Sequence, residues 1–277
     1  MKEMIEIHTV VGNYVITSYS LCVGIAIFVT ISLSLILMSR NRIGISKTLS
    51  LLLIMTMLFL LGSRLLYVLT HITYFSNSFE QAFKIEMAGF SIVGGLVLAT
   101  LGGWSYSKLM RISFWKLADS LAPGLCLGIM FARIGCFLNG CCFGTETNAP
   151  WAVHFPYDSL SFKYYLSRTG EKGAFSILSL VRSPGIHPTQ LYEAGGAFLA
   201  ATVAVFLLRK KVVSGISALT AALLFVIIRF INHFFRAQVT MDENPKWFYP
   251  LFYLLLFSII IWMLRQRLLV KEKSKTK

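Results

Sequence analysis

The sequence predicts an all-α, polytopic membrane protein with seven transmembrane helices, the N-terminus out and the C-terminus in, and a small extracytoplasmic cap. Three observations predict it. Hydrophobic residues make up 56% of the 277 and the mean hydropathy is +0.70, more apolar matter than a soluble domain can bury. The apolar residues fall into seven runs of membrane-spanning length. Every second connection between those runs is basic.

The spans are expected at 14–38, 49–71, 87–107, 117–138, 188–208, 213–235 and 247–265, each near the ~20 residues that cross a bilayer as helix. Arg40, Arg42 and Lys47 follow the first span, Lys108, Arg111 and Lys116 the third, and Arg209, Lys210 and Lys211 the fifth. The C-terminal tail sets Arg265, Arg267, Lys271, Lys273, Lys275 and Lys277 against Glu272. The second connection is mixed, with Glu80, Lys84 and Glu86. Lysine and arginine collect on the cytoplasmic side, which sets the orientation. The net charge of +14 is accounted for by these connections, so no nucleic-acid partner is expected. The first residues carry Glu3 and Glu6 and no small-residue cleavage site follows a short apolar core, so no removable signal peptide is expected.

The chain is expected to form a single membrane domain over 1–277, with 139–186 inserted between spans four and five as the cap. Pro150, Pro156, Gly170, Gly173 and Pro184 punctuate that insertion. Trp151-Ala152-Val153-His154-Phe155 alternates like a short strand, and a hairpin and a short helix near Phe162 to Ser167 are expected there.

Ionisable groups at membrane depth are costly, so they line cavities or pair with one another. Arg64, Asp119, Arg133, Arg229, His233 and Arg236 are the candidates. Arg133 comes 17 residues after Lys116, ~26 Å along a helix, near the outer boundary. Arg229, His233 and Arg236 are spaced to share one helical face. With no carboxylate among them they call for an anion, and a phospholipid phosphate suits a guanidinium. The plainer alternative is snorkelling of Arg236 and pairing of Arg229 with Asp119 or Glu193. His187-Pro188-Thr189-Gln190-Leu191-Tyr192-Glu193 opens the fifth span, with Pro188 in the first turn. Tyr192 reads as an interfacial anchor, and His187 and Glu193 as acid/base candidates.

Arg133-Ile134-Gly135, Phe137, Asn139-Gly140 and Gly144, then His187 to Glu193, then Arg229 and Arg236, resemble the prolipoprotein diacylglyceryl transferases. Gly62-Ser63-Arg64-Leu65 with Tyr67, Ser18-Tyr19-Ser20-Leu21 and Gly94-Gly95-Leu96 match further family elements in order. The resemblance implies a multi-pass enzyme of the bacterial plasma (inner) membrane. It would move the diacylglyceryl group of phosphatidylglycerol to the cysteine thiol of a lipoprotein precursor, with no cofactor and no metal. Its implied catalytic residues are Arg133, Arg229, Cys141, His187 and Glu193. Its implied substrate-binding residues are Tyr19, Arg64, Gly94, Gly95, Cys136, Asn139, Gly144, Gln190, His233 and Arg236. Arg133 and Arg229 would hold the phosphate, and His187 and Glu193 would support the outer mouth.

The chain departs from the family pattern at named positions. Val93 stands where the family has a histidine, Cys136 where it has an asparagine, Cys141 where it has a glutamate, and His233 where it has a further glutamate. A non-catalytic lipid-binding relative, or a membrane thiol-redox relative, is therefore the alternative. Cys136, Cys141 and Cys142 are open to four readings: a disulfide or redox pair, a reactive thiol lowered by arginines, packing, or a metal site joined by His187, His154 and His233 with no usual zinc spacing. Cys22 and Cys126 lie inside spans and read as packing residues.

Overall fold

The computed structural model describes residues 4–9, 12–75, 91–171, 182–237 and 247–275. The mixed connection at 80–86, the opening residues 87–90 of the third expected span, 172–181 of the cap and the terminal Lys277 lie outside the described residues. The described elements begin with a hairpin, β1 (Met4–Thr9) and β2 (Gly12–Thr17), antiparallel from Met4 opposite Thr17 to Thr9 opposite Gly12. Helices follow: α1 (Ser18–Arg40), α2 (Ile45–Thr70), α3 (Ile72–Phe75), α4 (Ile92–Leu109), α5 (Phe114–Leu138), α6 (Leu160–Glu171), α7 (Thr189–Arg209), α8 (Ile216–His233) and α9 (Phe248–Lys275).

Among the described residues, six helices are long and apolar enough to cross a membrane: Ser18–Arg40, Ile45–Thr70, Phe114–Leu138, Thr189–Arg209, Ile216–His233 and Phe248–Leu269. The third expected span corresponds to α4, which has 18 residues, four of them glycine, and is not among the six. The chain is a polytopic, predominantly helical membrane protein. Large apolar side chains on these helices point away from the protein, such as Phe28 at 71% and Trp262 at 62% exposure, as lipid-facing residues do.

Two expectations are corrected. The first span does not begin at 14, because residues 14–17 belong to β2. Val15-Ile16-Thr17 is a β-branched run, which favours extended backbone over helix. Among the described residues, Trp151 to Phe155 forms no continuous strand. Val153 instead makes a single bridge to Ile186, which also bridges Glu146, and Pro156 bridges Arg182. The helix expected near Phe162 to Ser167 is α6.

The chain divides into two compact units, Met1–Leu33 with Leu121–Lys277, and Ser34–Ser120. In the first, α7 packs through a buried alanine face, Ala200, Ala201 and Ala204, against Ala221 of α8 and Cys126 of α5. Small residues let helix backbones approach closely where lipid supplies no hydrophobic drive. Ser217 Oγ donates to the Ala204 carbonyl at 2.9 Å across this contact. Thr30 of α1 donates to the Gly124 carbonyl of α5 at 3.1 Å. The insertion at 139–186 supplies Phe143, Phe155, Tyr165 and Ile186 to a further core, which Ala237 after α8 completes.

In the second unit α2 and α4 cross at Gly62 and Gly94. A Cβ on either glycine would run into the carbonyl oxygen of the other, and one on Gly95 would meet Ser63 and Phe59. Tyr106 Oη donates to the Lys47 carbonyl at 2.9 Å and lies 2.7 Å from Ser50 Oγ. The Arg64 guanidinium sits over the Phe75 ring, 5.6 Å from its centroid. Gly94→Ala should therefore destabilise the protein by ~1–3 kcal/mol, since backbone cannot yield as a side chain can. Gly24, with nothing within 4 Å of an added Cβ, is the control: Gly24→Ala should leave the unfolding midpoint in detergent unchanged or raised.

Candidate functional site

α5 ends at Leu138, and the chain turns through Asn139-Gly140-Cys141-Cys142 before entering the cap. Gly140 has φ 67 and Cys142 has φ 57. Glycine takes that conformation freely, whereas at Cys142 it costs about 1–2 kcal/mol, so the surroundings must hold it. The first turn of α7 does so. Thr189 Oγ1 donates to the Cys142 carbonyl at 2.9 Å and Gln190 Nε2 to the Cys141 carbonyl at 2.6 Å. Gly144 fits because it has no side chain: a Cβ would meet the His187 and Phe235 carbonyls. Its amide donates to the His187 carbonyl at 3.1 Å, and its carbonyl accepts from Tyr165 Oη at 2.8 Å. Burial, helped by the Glu146 carboxylate, pushes the Tyr165 phenol up and keeps it a donor.

One turn into α7 lies Glu193, 2% exposed. Arg229 Nη1 donates to its Oε1 at 2.5 Å, Asn232 Nδ2 donates to the same oxygen at 2.8 Å, and Arg133 Nε lies 2.5 Å from Oε2. The Arg133 contact is an ion pair outside hydrogen-bond alignment, so Oε2 has no aligned donor. Two guanidiniums against one carboxylate leave one positive charge in surplus, and Arg236 adds to it. Arg229 also donates to Tyr253 Oη at 3.2 Å. His233 sits among the rings of Phe234, Tyr249 and Tyr253.

At the head of α7, His187 Nδ1 lies 3.1 Å from Tyr192 Oη, which accepts from Trp151 Nε1 at 2.8 Å.

All five cysteines are free. The Sγ atoms of Cys136, Cys141 and Cys142 lie within 4.8 Å of one another. Cys141 Sγ donates to the Cys136 carbonyl at 3.6 Å, and Asn139 lies beside that thiol. Arg133 lies beside Cys142. Hydrogen bonds from Cys136 and Cys141 draw the Cys142 thiol below the ordinary range against the opposing effect of burial, and Arg236 and Arg133 lower it further. Tyr19 lies within electrostatic range of Arg133 and all three cysteines.

Most expected site residues thus converge in the first unit: Tyr19, Arg133, Cys136, Asn139, Cys141, Gly144, His187, Gln190, Glu193, Arg229, His233 and Arg236. Their roles differ from expectation in four ways. Arg229 and Arg133 face a protein carboxylate, the plainer of the two readings of Arg229. Glu193 is buried among ions and does not line a mouth. Gln190 braces the turn's backbone. Arg64, Gly94 and Gly95 belong to the second unit, where the glycines serve helix crossing. Thr189, Asn232, Trp151 and Tyr253 were not expected. Asn232 carried a signal, being an amide inside an apolar span three residues from Arg229.

The family model for prolipoprotein diacylglyceryl transferase matches residues 6–265. Relatives described as phosphatidylglycerol–prolipoprotein diacylglyceryl transferases include one from Nitratidesulfovibrio vulgaris (strain DSM 19637 / Miyazaki F), 32% identical over 216 residues, covering 74% of this chain and 71% of the relative. Another, from Nostoc sp., is 33% identical over 48% of this chain and 41% of the relative. A third, from Clostridioides difficile (strain 630), is 28% identical over 66% of this chain and 63% of the relative. In the last two the match spans less than two thirds of the relative's length.

The clamp gives a stability prediction. Glu193→Gln leaves two guanidiniums without their counter-charge and should cost about 3–5 kcal/mol. Unfolding of the purified protein in detergent reads it, and a midpoint equal to that of the parent chain would contradict the clamp.

Proposed function

As the chain belongs to the prolipoprotein diacylglyceryl transferase family, we propose that it transfers the diacylglyceryl group of phosphatidylglycerol to the cysteine thiol of a lipoprotein precursor. The observation that carries this is the surplus positive charge around Glu193, held by Arg133 and Arg229 at the ends of membrane-length helices. In the reaction a carbon–sulfur bond forms and the carbon–oxygen bond to phosphate breaks. Glycerol phosphate leaves with the bonding pair and gains one negative charge, while the thiol proton passes to solvent. A charge that grows on the leaving phosphate is what a preorganised guanidinium pair stabilises most. Glu193 keeps the pair aimed and holds both arginines from snorkelling to the surface of the bilayer.

On this reading the single membrane domain has seven spans, α4 being the third, in the bacterial plasma (inner) membrane. The N-terminus is outside, the C-terminus inside, and 139–186 is an extracytoplasmic cap. The alternating basic connections support that orientation. Arg133 and Arg229 act on the phosphate, assisted by Arg236. Tyr19, Cys136, Asn139 and Gly144 shape the cavity beside them, His187 and Glu193 position groups around it, and Cys141 occupies the position of the family glutamate.

Purified chain incubated with phosphatidylglycerol and a lipobox peptide should yield the peptide thioether by mass spectrometry. Arg229→Gln should lower the rate about 100-fold or more, the size expected for removing one donor to a developing charge. Cys141→Ser should abolish transfer, and Cys126→Ser, in the α5–α7–α8 packing, should not. Phosphatidylglycerol binding without thioether would instead mark a lipid-binding relative without the chemistry, which the valine at position 93 would favour.

A further inference from the structure

We propose that Cys136, Cys141 and Cys142 form a binding site for a thiophilic d10 metal ion, Zn2+ or Cu+. Their three Sγ atoms lie within 4.8 Å of one another. A metal at ~2.3 Å from each sulfur spaces thiolates ~3.8–4.0 Å apart, so the triangle needs at most small side-chain rotations. No sulfur is committed to a disulfide. Cys136 is buried and the other two are half-buried, so the triangle has a closed side and an accessible one.

The site is built by the fold and not by spacing. Cys136 comes from the last turn of α5, and Cys141 and Cys142 from the turn after it. The turn brings Cys142 back beside Cys136 because Gly140 and Cys142 both adopt positive φ. Thr189 and Gln190 then lock the two carbonyls of that turn. A three-sulfur set with an open position is what soft thiophilic ions accept, and hard ions such as Mg2+ or Ca2+ do not. Three thiolates around Zn2+ carry a net charge of −1, and around Cu+ a net charge of −2. Arg133 and Arg236, both close to Cys142, would offset that charge. Binding forms three metal–sulfur bonds, releases the thiol protons to solvent, and involves no electron transfer.

The inference is independent of the transferase reading, because metal uptake is measured without lipid. Full-length protein, purified in detergent under nitrogen and stripped with a chelator, is titrated with Co2+ as a spectroscopic probe for Zn2+. It is titrated separately with Cu+ against a chromogenic Cu+ chelator. The expected result for at least one ion is one equivalent per chain, with a thiolate-to-cobalt charge-transfer band in the Co2+ arm. Cys136→Ser and Cys142→Ser should each weaken binding by at least ~10-fold, while Cys22→Ser should not. Absence of stoichiometric uptake by the unsubstituted protein in both arms would overturn the proposal. So would uptake that survives both substitutions, or thiol counting that finds two of the three sulfurs joined in the anaerobically purified chain.

Discussion

Glu193 is a carboxylate buried at the start of a membrane-length helix, and the site follows from what must be done about it. An ionised carboxylate without partners in a low-dielectric setting costs several kcal/mol even after relaxation. The fold meets that cost with Arg229 and Asn232 from α8 and Arg133 from α5. Three helices are thereby registered against one another at a single side chain. The arginines in turn are kept from snorkelling, because each has a counter-ion within the protein. One carboxylate cannot neutralise two guanidiniums, so the same interaction that stabilises the fold leaves an anion-seeking site.

Around that clamp the remaining polar contacts are mostly between side chain and backbone. Thr189 and Gln190 hold the carbonyls of Cys142 and Cys141, and Tyr165 from the cap holds that of Gly144. The run His187 to Glu193 therefore has three jobs. Its second, fourth and last polar members, Thr189, Tyr192 and Glu193, brace the turn, orient His187 and fix the arginines. A loop that folds back over membrane-length helices needs such donors, because its carbonyls are not paired in a regular sheet.

Much of the frame was legible from residues alone. The apolar runs marked the helices within a few residues, except where β-branched Val15, Ile16 and Thr17 made strand in place of helix and where α9 runs past the expected 265 to Lys275. The i, i+4 spacing set Arg229 and His233 on one face of α8, but the helix ends at His233, so Arg236 does not share that face and instead bridges Gly144; the motif residues identified the family that the match over residues 6–265 bore out. What the residues left open was partner identity. Pairing of Arg229 with Glu193 was one of two readings, and the sharing of that carboxylate with Arg133, remote in sequence, was not expected. Gly94-Gly95 read as substrate contacts, yet their lack of a Cβ is used where α2 and α4 backbones touch. The cysteines matched no zinc spacing, and only the left-handed turn at Gly140 and Cys142 brings three sulfurs into one triangle.

That this is a multi-pass membrane protein, where its helices run, and which short stretches carry the chemistry all follow from the residues in their order. These are local properties: hydropathy adds along a segment, and helical periodicity ties neighbours to a face. The tertiary structure alone decided that Glu193 answers Arg133 and Arg229, that Gln190 braces a turn, and that three cysteine sulfurs meet. Pairing of that kind depends on how separate helices are registered in space. Registry is set by close approach at small residues and by buried ions, not by the composition of any one segment.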